Sequence, residues 1–235
     1  TQIIEEKLLK YRGQSEKELC KEFDVNFNAK GRNSTLVRKI LGLSSDIDST
    51  AEFKKANMNI RAIRVDKNGL PKEDSPFKNY RFIELANAKE WEESHIYTEI
   101  FSRKFMFVVF RENDTGDFCL DQVKFWGFPD SLEPELMRVW QETKEIINQG
   151  IKLTVKPNGK DGFKVSTNFP QSKANEYLFT KVHASQTYYE VKPGEFVGKG
   201  KLKDTDELPD GRHITKHSFW LPKKFVQQIL RGKWD

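Results

Sequence analysis

Cysteine is scarce: two residues, Cys20 and Cys119, in a chain of 235. Neither stands at metal-ligand spacing, and Cys20 falls on the apolar side of a predicted helix. Both read as reduced core thiols of a cytoplasmic protein. No apolar run reaches about 18 residues, which excludes a membrane-spanning helix. The N-terminus, TQIIEEKLLK, is an amphipathic helix of mixed charge rather than a signal peptide. It also lacks an initiator methionine, which reads as a fragment or a processed product. There is no internal repeat and no linker that separates two cores. What is present suffices for one large domain or two small ones: 37% hydrophobic residues with 18 Phe to fill a core, and 32% charged residues to keep it in solution.

Net charge is small, and its position says more than its sum. Residues 159–235 hold 14 Lys and Arg against 9 Asp and Glu, the whole surplus of 5 in the chain. Three of the four histidines, His183, His213 and His217, fall in the same part. A docked polyanion and a solvated basic face both fit this composition.

Periodicity predicts three opening helices. Ile3 to Tyr11 places Ile4, Leu8 and Tyr11 on one face; Ser15 and Glu18 form a capping box ahead of Leu19, Cys20 and Phe23; and Ser34 caps a third helix that Gly42 stops. Asn59 to Val65 reads as a buried strand closed by Asn68-Gly69, and Phe77 to Phe82 as a second, followed by a short helix from Glu84 to Glu93. Lys104 to Phe110, KFMFVVF, is the strongest strand signal, a central strand covered on both faces. Val123 to Phe128 returns alongside it. Pro134 opens the best helix, which Gly150 ends. A hairpin about Asn158-Gly159, a short helix from Ser172 to Tyr177 and a strand from Leu178 to His183 follow. Residues 190–213 read as a long surface loop; then come a strand, HSFWL, and a final helix with Phe225, Val226 and Ile229 inward.

The stretch from Thr50 to Val65 organises the rest. Glu52 precedes the strand, and the strand carries Asn59-Ile60-Arg61. An acid, a gap and then acid-x-lysine on a strand is the outline of a metal-dependent nuclease centre, because alternation sets the first and third residues of the triplet side by side. In this chain the acid of the triplet is an amide and the lysine is an arginine.

Several stretches together resemble the MutH mismatch-repair endonuclease and its relatives, the GATC-specific type II restriction enzymes of staphylococcal Sau type. They are LVRKILGL, NIRAIRVDKNGLP, KFMFVVF, WGFPDSLEPELMRVWQETKEIINQG, PQSKAN and FWLPKKFVQQIL. The resemblance implies a mixed α/β (α+β) fold of restriction-endonuclease type, a central mixed sheet flanked by helices. It implies a single MutH-like domain over 1–235, with lobe 1 at about 1–132 and lobe 2 at about 133–235 around a DNA cleft. In such enzymes an acid cluster holds Mg²⁺, which activates the attacking water. The family's helix glutamate falls on or near Arg38, its metal-binding aspartate near Glu52, the triplet glutamate on Asn59 and the lysine on Arg61. A guanidinium there opposes the ion, by about 4 kcal/mol at about 4 Å and an effective dielectric near 20. Arginine also stays protonated and cannot serve as a base. The expectation is a metal-free, catalytically silent centre. The resemblance points to the degenerate C-terminal domain of a two-domain enzyme, in which a catalytic N-terminal domain of the same chain uses Mg²⁺.

The implied partners are duplex DNA containing GATC, the N-terminal domain of the same chain and a second copy as a homodimer, with no membrane. Lys173 in PQSKAN and Trp220, at a family tyrosine, are the leading DNA contacts, with Lys223 and Lys224 as phosphate contacts. Lys181, His183, Arg103 and Lys104 are further candidates, and Asn168 is an adenine reader by type. Each has a plain alternative as a solvated cation or, for Trp220, a core aromatic. Two other functions stay open. One is an active Mg²⁺-dependent endonuclease that uses Glu52 with Asp66 or Glu84, and the other is a protein-interaction module that binds no DNA.

Overall fold

The computed structural model describes residues 2–43, 57–159 and 162–235. In chain order the helices are α1 (Gln2–Leu9), α2 (Glu16–Glu22), α3 (Arg32–Leu41), α4 (Phe82–Asn87), α5 (Glu133–Gln149) and α6 (Lys223–Leu230). The first strands are β1 (Met58–Val65), β2 (Ser75–Asn79), β3 (Lys104–Glu112), β4 (Phe118–Gly127), β5 (Leu153–Pro157) and β6 (Phe163–Thr167). Then come β7 (Phe179–Val182), β8 (Tyr188–Lys192), β9 (Glu195–Gly198), β10 (Thr205–Glu207), β11 (His213–Thr215) and β12 (His217–Leu221). The class is mixed α and β. None of the described helices is long and apolar enough to cross a membrane. The chain divides into two compact units, one of Thr1–Glu73, Ser102–Pro129 and Lys223–Asp235, the other of Asp74–Phe101 and Asp130–Pro222.

In the first unit β3 lies between β1, which runs parallel to it, and antiparallel β4. Every residue from Phe105 to Phe110 is fully buried, as a strand covered on both faces requires. Met106, Val108 and Phe110 pack with Leu8, Leu19, Leu36 and Val37 of α1 to α3. On the other face Phe105 meets Trp126 and Phe128, and both of these meet Phe225 of α6. Each large apolar side chain removed from water contributes about 1.5–3 kcal/mol, so this strand contributes substantially to the unit's stability. The predicted capping box is present: Ser15 Oγ accepts from Glu18 N at 3.2 Å, and Glu18 Oε2 accepts from Ser15 N at 2.8 Å. The bond from Ser15 N, with a second from Ser15 Oγ at 2.8 Å, holds the Glu18 carboxyl below its usual pKa. Ser34 is not a cap; α3 begins two residues earlier, after Gly31 in the left-handed region at φ 79°. Cys20 is buried, but Cys119 is only half-buried and is not a core thiol.

The second unit holds β2-β12-β7, β10-β11-β8-β9 and the β5–β6 ribbon, with α4 and α5. Phe77 to Phe82 is not one strand: pairing with β12 ends at Asn79, and Phe82 already begins α4. The helix expected from Glu84 to Glu93 breaks after Asn87 and resumes as a 3₁₀ turn over Trp91–Glu93. No helix forms over residues 172–177, which are turns. The largest departure is 190–213, which is a four-stranded sheet rather than a surface loop. Its apolar periodicity is weak because buried acids hold it. Asp206 Oδ2 accepts from Phe82 N at 2.9 Å, capping α4 from a distant strand, and Oδ1 meets Arg81 Nε at 2.8 Å. Asp204 accepts from Lys201 N at 3.0 Å and from Ser185 Oγ at 3.1 Å. The backbone bond from Lys201, with Ser185 behind it, keeps the Asp204 carboxyl below its usual range.

Candidate functional site

In β1, Met58, Ile60 and Ala62 pack toward the helical cluster. Alternation therefore turns Asn59 and Arg61 together to the opposite face, half-buried and in register with Phe105 and Phe107 of β3. The strand does set the first and third residues of the triplet side by side. Mg²⁺ needs several anionic or carbonyl oxygens. Asn59 offers one neutral oxygen and Arg61 offers only donors, so these two residues do not fit that ion. Among the described residues no group of three His, Cys, Asp or Glu could hold a metal. Glu52 lies outside the described residues.

Arg38 has a local task. At the end of α3 its own carbonyl accepts from Leu43 N at 3.0 Å, while its Nη1 donates to Leu43 O at 3.2 Å. Together with Gly42 at φ 73°, it closes the C-terminus of the helix. The acids of the active-endonuclease reading are placed as follows. Asp66 Oδ1 accepts from Asn68 N at 2.8 Å and Leu70 N at 2.9 Å, so it builds the turn after β1. Glu84 is exposed on α4, in the other unit.

A carboxylate with no signature in the sequence is heavily engaged in the first unit. Glu16 is 3% exposed and accepts from Arg32 Nη2 at 2.8 Å, Asn33 Nδ2 at 2.6 Å and Arg64 Nε at 2.6 Å. A pocket of about 220 Å³ opens over this network. The Arg32 and Arg64 guanidiniums also lie 4.5 and 4.8 Å from the Phe27 and Phe118 ring centres. With Glu16 between them, these cations tie α2, α3 and β1 together.

In the second unit three candidates gather on β7, just past its end and on β12. Lys181 Nζ lies 4.9 Å from the centre of the Trp220 ring, and the His183 ring approaches Trp220 edge-on at 5.2 Å. Ser218 Oγ and His183 Nδ1 are 3.0 Å apart, and Trp220 Nε1 donates to Lys181 O at 3.3 Å. Lys181 is exposed and Trp220 is half-buried, a partly open aromatic beside a cation rather than a core tryptophan.

Lys173 is exposed at the tip of the 172–174 turn. The turn is fixed from beneath by Asn175, 2% exposed, whose Nδ2 donates to Gln171 O at 2.8 Å and whose Oδ1 accepts from Arg138 Nη2 at 2.5 Å. No spacing in the sequence announces this staple from α5. Asn168 is exposed, but its Oδ1 accepts from Lys152 N at 2.9 Å and closes the base of the β5–β6 ribbon. Arg103 and Lys104 stand at the start of β3, Lys104 exposed; Lys223 and Lys224 open α6, with Lys224 the more exposed. These four belong to the first unit, whereas Lys173, Lys181, His183 and Trp220 belong to the second.

Compared with known proteins, the chain is similar to a type II restriction enzyme. That relative is Sau3AI of Staphylococcus aureus, 26% identical over 248 residues, covering 96% of this chain and 50% of the enzyme. The chain thus spans about half the length of the curated relative it matches. No family model matches it.

Proposed function

We propose that this chain binds duplex DNA at GATC as the catalytically silent, effector domain of a restriction endonuclease. One MutH-like domain over 1–235 would regulate a catalytic domain of the same polypeptide, and that partner domain would use Mg²⁺. The observation that carries the reading is the pairing of Asn59 with Arg61 on one face of β1, in a chain whose distant relative is a type II restriction enzyme. An amide and a fixed cation stand where a hydrolase of this type needs an acid and a titratable base. A match to half of the relative fits one copy of a duplicated chain. DNA binding draws on Lys173 for a base or phosphate contact and on Lys181, His183 and Trp220 for the aromatic-cation face. Phosphate contacts dominate affinity and make it salt-dependent.

Incubation with Mg²⁺ and a GATC duplex tests the catalytic half of the proposal. The expected result is intact DNA. Nicking would overturn it in favour of an active endonuclease. The double variant Asn59→Glu/Arg61→Lys is expected to stay inert too, because Arg38 still occupies the position of the helix acid. Robust nicking by that variant would contradict this.

A further inference from the structure

We propose that the β5–β6 ribbon is a groove-entering element for duplex DNA. This rests on the DNA-binding reading and adds a surface to it. Among the described residues the ribbon consists of two strands with no third beside them. Such a hairpin is marginally stable alone, so an open one in a folded protein needs a reason. Lys156 and Lys164 face each other across the pair, on the same side as Thr154 and Ser166. Like charges directly opposite one another destabilise a sheet. Both lysines are exposed, and neither forms an ion pair among the described residues. The other side is also uncovered, with Val155 39% and Phe163 61% exposed.

Two open faces could suit several partners, but the lysine pair selects a polyanion. From 152 to 173 the sequence holds five lysines and one acid, Asp161. A two-stranded β-ribbon matches the width of the major groove of B-form DNA, about 12 Å. Its two edges then lie near the two phosphate backbones. The base of the ribbon is pinned by Asn168, and β6 leads directly into the stapled turn that carries Lys173. Ribbon and turn thus form one continuous basic stretch of backbone.

The test measures binding of the full chain to a GATC duplex by fluorescence anisotropy between about 50 and 200 mM salt. Lys156→Ala/Lys164→Ala is expected to bind about tenfold more weakly, with a log–log salt slope shallower by about 2. Lys17→Ala/Lys21→Ala removes the same charge from exposed positions of α2 and is expected to leave both quantities near wild type. Wild-type affinity and slope in the ribbon variant would overturn the inference while leaving DNA binding intact. Equal losses in both pairs would also overturn it, since net charge alone would then explain them. Failure of the wild-type chain to bind any duplex would remove the DNA reading and the ribbon with it. Lysine labelling of the wild-type chain needs no variant: duplex is expected to protect Lys156 and Lys164, and their full labelling in the complex would refute the placement.

Discussion

The arginines of the first unit and the lysines of the second are used differently. In the first, several arginines are built into the scaffold: Arg32 and Arg64 close on Glu16, Arg38 ends α3, and Arg111 meets Asp121 at 2.7 Å. In the second, lysines are displayed, with Lys156, Lys164, Lys173 and Lys181 exposed on strands and a turn that polar bonds hold in place. A basic residue is therefore a weak sign of nucleic-acid contact until its partners are known. Arginine's rigid planar fork suits fixed ion pairs, whereas lysine's flexible stem leaves its charge in water and available.

The largest expected effect breaks the scaffold side of this contrast. Glu16→Ala leaves Arg32 and Arg64 without their shared carboxylate and is expected to destabilise the protein by about 3–5 kcal/mol, read by urea unfolding. A loss below about 1 kcal/mol would mean that the arginines are held by packing alone.

Acid should act next, and through the second unit. His217 is 2% exposed, and its Nδ1 lies 2.6 Å from Thr215 O. Burial lowers its pKa from 6.5 to about 4, and burial does the same to His95. The unfolded chain then binds more protons between those values, so stability falls as the pH drops from about 6.5 to about 4. His217 accounts for about 3 kcal/mol of that loss. Unfolding free energies at several pH values check this, and His217→Gln should make the dependence shallower. An unchanged slope would show that His217 protonates in place.

On the displayed side, Lys173→Ala is expected to weaken GATC binding by about 1–3 kcal/mol if it touches a base. An equal loss on random duplex would mark a phosphate contact instead. The smallest effect tests the long-range cap. Asp206→Ala should cost about 1–2 kcal/mol of stability without altering DNA affinity. A neutral outcome would mean that α4 stands without its cap.

The first unit was the more legible of the two because its order rests on apolar periodicity. KFMFVVF declared a strand buried on both faces, and Phe225, Val226 and Ile229 declared the inward side of α6. The second unit was harder to read. Residues 190–213 lack apolar periodicity because Asp204, Thr205 and Asp206 occupy buried positions and gain their places through hydrogen bonds. The helix expected over 172–177 gave way to turns because Asn175 bonds back to Gln171 O. At the candidate site, alternation alone placed Asn59 beside Arg61. The gathering of Lys181, His183 and Trp220 depends on the register of β7 against β12, which local sequence does not encode. The fixing of Arg38 by the chain beyond α3 also became visible only in three dimensions.

The most direct test of the central claim compares binding to a GATC duplex with binding to a scrambled duplex of equal length, at two salt concentrations and without cleavage. The account predicts tighter binding to GATC at both, with a preference that persists as salt rises while overall affinity falls. Equal affinity for the two duplexes at every salt concentration would contradict it.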